Sequence, residues 1–146
     1  CEEFSMLSKL EEAIFNYELP NQELFIKAES SHLENAINNL LDNAKKYSKN
    51  PEIKLVAEVK QKKLFITIID NGEGISKKDK ARIFQKYYRV TEGDLYKVKG
   101  YGLGLSYVKK VIKNHNGKIY LESELGKGTK ITIAIPLINS YEFGQA

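Results

Sequence analysis

Three groups of residues in this chain could do chemistry together. Asn39 and Asn43 stand four apart and Lys46 follows three later. On a helix turning about 100° per residue, all three fall along one flank. A neutral carboxamide oxygen can coordinate Mg²⁺ while a phosphate ligand supplies most of the charge, and an ammonium can reach the same anion. Asp70-Asn71-Gly72-Glu73-Gly74 sets a carboxylate at the end of an apolar run, where a glycine turn begins. Such a carboxylate can accept from an exocyclic amine, which adenine carries where guanine carries a carbonyl. The glycines permit positive φ and a close approach of a flat base to the backbone. Gly100, Gly102 and Gly104 precede a further helix, whose free N–H groups and positive dipole end suit phosphate. Together the three groups describe a nucleotide site.

Each group alone has a plainer explanation. Asn43 could sit on a solvated helix face, and Asp-Asn-Gly is common turn chemistry. The Gly100 run is not a dinucleotide fingerprint, although Glu122 lies near the expected acidic spacing. Its third position is Leu105 rather than glycine, and no strong strand precedes it. A P-loop is excluded because Gly-Lys-Ser/Thr is absent. The coincidence of all three groups, in this order, favours the functional reading.

The elements that must hold these residues can be read from periodicity. Phe4, Leu7, Leu10, Ile14 and Phe15 have a helical period, and Leu19-Pro20-Asn21 interrupts it. Glu23 to Ala28 reads as a short strand. A helix follows, capped by Ser30 or Ser31 with Glu34 completing a capping box; Leu33, Ala36, Ile37, Leu40, Leu41, Ala44 and Tyr47 form its core stripe. Pro51 ends helical structure. Ile53 to Val59 and Leu64 to Ile69 form a hairpin turning at Gln61-Lys62. A short helix is expected around Lys77 to Tyr88, then a loop from Arg89 to Lys99, long by connection norms. Leu103 to His115 is helical, with Gly117 in the place of a C-cap glycine. Lys118 to Ser123 and Thr129 to Ile135 close the chain as a hairpin around Gly126-Lys127-Gly128. The order predicts a two-layer α/β sandwich: a mixed, mainly antiparallel sheet of about five strands with about three helices on one face.

With 146 residues, 42% hydrophobic and 29% charged, the chain reads as one soluble domain. Residues 1–22 are expected to form a connector, 23–138 the nucleotide-binding domain and 139–146 a tail. The net charge of +4 is mild and the lysines are scattered, so no nucleic-acid stripe is evident, although anions are favoured. Cys1 is the single cysteine, which excludes an internal disulfide and suits a reducing compartment. No run is long and apolar enough to span a bilayer. A start at Cys1 without methionine suggests a piece of a longer protein.

These residues are similar to the catalytic, ATP-binding domain of sensor histidine kinases, in the GHKL superfamily with gyrase B, MutL and Hsp90. Asn39-Leu-Leu-Asp-Asn43-Ala-Lys-Lys46-Tyr47 resembles the N box, and Asp70-Asn-Gly72-Glu-Gly74-Ile75 the G1 box. Ile83-Phe84-Gln-Lys-Tyr-Tyr88-Arg89 resembles the F box and Gly100-Tyr-Gly102-Leu103-Gly104-Leu105 the G2 box. The resemblance covers about Leu24 to Leu137. It implies ATP and Mg²⁺ as cofactors, with Asn43 on the metal, Asn39 and Lys46 at the phosphates, and Tyr47 against the adenine. It implies Asp70 as reader of the adenine amine, with Gly72, Gly74 and Ile75 shaping the pocket and Thr129 bracing it. Arg89 to Gly102, Lys99 included, would form a lid hinged at Phe84 and Tyr88.

Hydrolytic relatives carry a glutamate four residues before the magnesium asparagine, as base for water. Here that position is Asn39, and a carboxamide suits transfer to an already nucleophilic imidazole. The partners implied are a histidine-bearing dimerisation domain of the same parent and a response-regulator receiver domain, with no nucleic acid. The isolated chain would be monomeric, within a homodimeric, membrane-anchored bacterial parent whose catalytic part is cytoplasmic. His32 sits in a Ser-His-Leu-Glu run reminiscent of a phosphoacceptor, yet it opens the N-box helix, and His115 matches a structural position, so neither is expected to accept phosphate. Two other readings stay open: a non-enzymatic, nucleotide-gated docking module, and a related protein-serine kinase acting on a regulatory antagonist. The short segment before Glu23 departs from the family pattern.

Overall fold

The computed structural model describes residues 14–90 and 104–139. Five strands form one sheet in the order β1-β2-β3-β5-β4, where β1 is Ile14–Glu18, β2 Glu52–Lys60, β3 Lys63–Asp70, β4 Lys118–Ser123 and β5 Thr129–Pro136. The β1–β2 pair is parallel, and the others are antiparallel. A parallel pair needs a crossover, supplied here by helix α1, Ser30–Lys46. Helix α2, Lys77–Lys80, follows β3, and helix α3, Gly104–Asn114, precedes β4.

The core lies between one sheet face and the two long helices. Leu33, Ala36, Leu40, Leu41 and Ala44 of α1 and Val108, Val111 and Ile112 of α3 are buried against Ile53, Leu55, Leu64, Ile66, Ile68, Ile131, Ile133 and Ile135. Alternation along β3 and β5 explains this, because residues two apart share a face. The expected mixed sandwich is therefore present, with two long helices and one single-turn helix among the described residues.

Several boundaries differ from expectation. Ile14 and Phe15 close the helical period of the sequence but lie in β1, where pairing with Glu52 and Ile53 of β2 prevails over local pattern. The preceding residues of that period lie outside the described chain. Glu23 to Ala28 is not a strand: only Ile26 bridges, to Leu137, while Leu24, Ile26 and Ala28 pack against the core. The capping box of α1 does not form. Glu29 is the N-cap and makes no side-chain cap bond. Its carbonyl takes the His32 and Leu33 amides, and its own N–H donates to Nε2 of His115. Beyond Lys80 the expected helix gives way to turns. Arg82, Gln85 and Tyr88 each donate to the carbonyl three residues back, and Tyr87 takes φ +65°. At the end of α3 the left-handed residue is Asn116 (φ +55°), not Gly117. Gly117 is needed for closeness, since a Cβ there would lie 2.7 Å from the Ala134 carbonyl oxygen and 2.8 Å from Ile112. Gln61 and Lys62 do form the β2–β3 turn, both with positive φ, as the two-residue hairpin geometry demands.

Candidate functional site

The helix-facing rows of the sheet change character at one end. Ile68, Ile131 and Leu121 stand in register across β3, β5 and β4. Two residues further, the same face carries Asp70, Thr129 and Ser123. An apolar layer thus ends in a polar row, and the turn beyond Asp70 meets the C-cap residue of α1.

Asp70 is half-buried. One carboxylate oxygen accepts the Gly72 amide at 2.8 Å, and the Thr129 amide donates to the carboxylate as well. Burial nevertheless dominates and pushes the carboxyl above its ordinary value, the two amides pulling back more weakly. A carboxylate held this way is oriented but under-solvated, so a further donor at its open side would be welcome.

The turn after Asp70 docks on the end of α1. The Glu73 amide donates to the Tyr47 carbonyl at 3.1 Å, and Tyr47 is the C-cap. A Cβ on Gly72 would lie 2.6 Å from that carbonyl and 2.8 Å from the Asp70 carboxylate, so glycine is required for closeness there rather than for positive φ. Gly74 does have positive φ (+72°), and a Cβ would lie 2.0 Å from the Glu124 carbonyl oxygen. Backbone and carboxylate are drawn together by removing side chains.

On α1, Asn39 and Asn43 are both half-buried beside this turn's helix end, whereas Lys46 is exposed. Nδ2 of Asn39 donates to the Asn35 carbonyl at 2.8 Å, which leaves its carboxamide oxygen on the other side of the group. That oxygen faces the first residue of α3, where a Cβ on Gly104 would approach it to 3.0 Å. Asn39 and the N-terminal amides of α3 therefore border one space. Leu105, one residue on, packs against the core and fixes that helix end.

Phe84 and Tyr88 stand where the described chain breaks off at Val90. Lys109 of α3 lies over the Phe84 ring at 5.9 Å, and Arg82 lies over the Tyr88 ring at 4.6 Å. The Tyr88 hydroxyl donates to Asp79 at 2.5 Å, and Ser76 caps α2 while donating to the other Asp79 oxygen. Ser76 and then Tyr88 hold the Asp79 carboxyl below its ordinary value. Arg89 follows Tyr88 and is half-buried. Lys99, Gly100, Gly102 and Leu103, with most of the expected lid, lie outside the described residues.

The two histidines are engaged elsewhere. Nε2 of His115 accepts the Glu29 amide at 3.0 Å, so its proton sits on Nδ1, which donates to Val111 at 2.7 Å. His32 pairs with Glu29 and with the Tyr107 hydroxyl. Sequence reasoning missed Ser123, whose hydroxyl bonds Ile75, Gly128 and Thr129. No short motif marks it. Its importance arises only when three distant segments meet.

A half-buried carboxylate beside close-packed glycines, with the Asn39 carboxamide facing the first residue of α3, marks this end of the α/β sandwich as the candidate site. A family model for histidine kinase-, DNA gyrase B- and HSP90-like ATPases matches residues 28–139, and the chain belongs to that family. It is 50% identical over 129 residues to the sensor protein RprX of Bacteroides fragilis, covering 86% of this chain and 24% of that protein. With the sensor histidine kinase WalK of Bacillus subtilis it shares 32% over 133 residues, covering 89% and 22%. The chain thus spans about a quarter of these relatives' length. Among solved structures, the catalytic domain of histidine kinase ThkA superposes with a TM-score of 0.74 at 27% identity, covering 92% of this chain and 87% of that one. A mycobacterial sensor histidine kinase, MprB, shares the fold with a TM-score of 0.78 at 24% identity, covering 92% and 89%. Among the described residues, no helix is long and apolar enough to cross a membrane.

Proposed function

We propose that this domain binds Mg²⁺·ATP and donates the γ-phosphoryl group to a histidine on a separate dimerisation domain of a longer sensor kinase. Onward transfer would go to an aspartate of a response-regulator receiver domain. The parent would be a membrane-anchored bacterial homodimer, with this part in the cytoplasm.

The observation that supports this best is the juxtaposition of Asn39 with the first residue of α3. The α3 N-terminus and a neutral carboxamide come together there, and the position four residues before Asn43 carries Asn39, which cannot deprotonate water as a glutamate would. Asp70 would accept the adenine amine, with Gly72, Gly74 and Ile75 walling the base and Tyr47 and Thr129 bracing it. Asn43 would hold Mg²⁺, Lys46 would reach a phosphate, and Lys99 with Gly100, Gly102, Leu103, Gly104 and Leu105 would line the triphosphate side. The metal, when bound, would neutralise phosphate charge alongside Lys46. In the transfer, the bond between the γ-phosphorus and its bridging oxygen breaks and a phosphorus–nitrogen bond forms. ADP departs and the imidazole proton passes to solvent. His115 is bonded to the Glu29 amide and Val111, and His32 pairs with Glu29 and Tyr107 on the N-box helix, which supports an acceptor on another domain.

Calorimetric titration with ADP and Mg²⁺ should give saturable binding, and ATP plus a supplied histidine-bearing domain should give phosphohistidine in trans. Absence of ADP binding by the native chain refutes the reading. Binding without transfer, using a histidine domain competent with another kinase, leaves a nucleotide-gated docking module instead.

A further inference from the structure

We propose that Ser123 is the positioning residue that gives this site its preference for adenine; the inference rests on the adenine-nucleotide reading above. Ser123 ends β4 in the polar row with Thr129 and Asp70. A serine hydroxyl has one proton and two lone pairs, and here each has one destination. The proton goes to the Gly128 carbonyl at 2.8 Å. The lone pairs accept the Ile75 amide at 2.8 Å and the Thr129 hydroxyl at 3.0 Å. The Ser123 carbonyl in turn takes Nζ of Lys80 at 2.9 Å.

One side chain therefore ties together the two segments that flank Asp70. Ile75 belongs to the turn that follows β3, and Gly128 and Thr129 to the start of β5 beside it. Both segments touch Asp70 directly. From the turn, the Gly72 amide bonds its carboxylate at 2.8 Å; from the other segment the Thr129 amide does so too, and Gly128 packs so closely that a Cβ would lie 2.0 Å from the Asp70 carbonyl oxygen. Ser123 lies on the far side of Thr129 from Asp70, since the row runs across β4, β5 and β3. It acts through Asp70 and Thr129, by holding the carboxylate's open oxygen where an exocyclic amine would sit. Loss of its hydroxyl frees the turn and β5 to part, which blurs recognition of the base and leaves the α1 carboxamides and the α3 N-terminus unmoved.

Base selectivity tests this, because a general structural role would weaken every nucleotide alike. The native chain, Ser123→Ala and Ser123→Thr are titrated with Mg·ADP and Mg·IDP, whose hypoxanthine carries a carbonyl in place of the amine. The native chain should prefer ADP. Ser123→Ala should lose ADP affinity about ten-fold, the scale of one hydrogen bond, while IDP affinity stays within about two-fold. Ser123→Thr, which keeps the hydroxyl, should restore most of the preference. Faster exchange of the Ile75 amide in nucleotide-free Ser123→Ala should accompany the loss. Equal weakening of both nucleotides, or an unchanged ratio in a folded variant, overturns the proposal. If the alanine variant does not fold, Ser123→Cys, with its weak donor and acceptor, must show the same lost ratio. Native binding that does not distinguish ADP from IDP refutes the adenine reading itself, before any substitution is made.

Discussion

Asp70→Asn separates recognition from stability. The carboxylate accepts two backbone amides, from Gly72 and Thr129. In the asparagine variant one of its two sites becomes an NH₂. Either orientation then fails: the NH₂ faces the adenine amine, or it faces a backbone N–H. The lost bond is charge-assisted, worth about 1.5–3 kcal/mol, so ADP affinity should fall roughly 10- to 150-fold. Stability should not fall with it. Burial is the largest influence on this carboxyl and raises its pKa, so the fold favours the proton-bound form. Its linkage therefore has the sign opposite to a salt-bridged aspartate: stability contributed by the protonated group declines as pH rises from 3.8 through the raised value. At neutral pH the ionised group is a net burden, which the neutral asparagine relieves. ADP affinity of the native chain should correspondingly drop as pH falls through the raised pKa, and that step should vanish in the variant. Calorimetry across pH, with thermal melts of the nucleotide-free chain, measures both. A variant that binds ADP within about three-fold of native, or melts well below native at neutral pH, would refute the reasoning.

The glycines make a graded set. Gly126→Ala meets nothing within 4 Å and bears only the cost of φ +79°, about 1–2 kcal/mol. Gly74→Ala and Gly128→Ala put a methyl 2.0 Å from a carbonyl oxygen at similar φ, so they should cost about 3 kcal/mol or more by denaturant titration. Asn43→Ala should weaken the Mg²⁺-dependent part of ATP binding by at least about ten-fold, leaving metal-free ADP binding near native in the same calorimeter. Tyr88→Phe removes the second of the two donors that depress Asp79, so the Asp79 carboxyl, followed by NMR, should titrate at higher pH. His115→Ala removes the acceptor of the Glu29 amide and the donor to Val111, and should lower stability by about 1 kcal/mol without changing ADP affinity.

What was legible in the sequence is what local chemistry decides. The Asn39–Asn43 flank follows from helical period alone, and the Gln61-Lys62 turn and the glycine turn after Asp70 sit where short-range signals place them. Long-range pairing decided the rest. Phe15 continues a helical period yet pairs with Ile53, because an edge beside β2 offers more than another turn of helix. Leu24, Ile26 and Ala28 look like a strand and are used as one would be, covering the core, but only Ile26 finds a ladder partner. The capping box failed for a similar reason: the Glu29 amide bonds a histidine 86 residues away, and no window around Ser31 contains it. Ser123 is the sharpest case. Its neighbours Glu122 and Glu124 are exposed and unremarkable in type, and serine at a strand end reads as a turn residue. Only the register of β4 on β5, and of β5 on β3, turns it into the neighbour of Thr129, which bonds Asp70. A motif lists the side chains that face a ligand, whereas the side chains that hold those in place are distributed by topology, and substitutions there alter selectivity while leaving every motif intact.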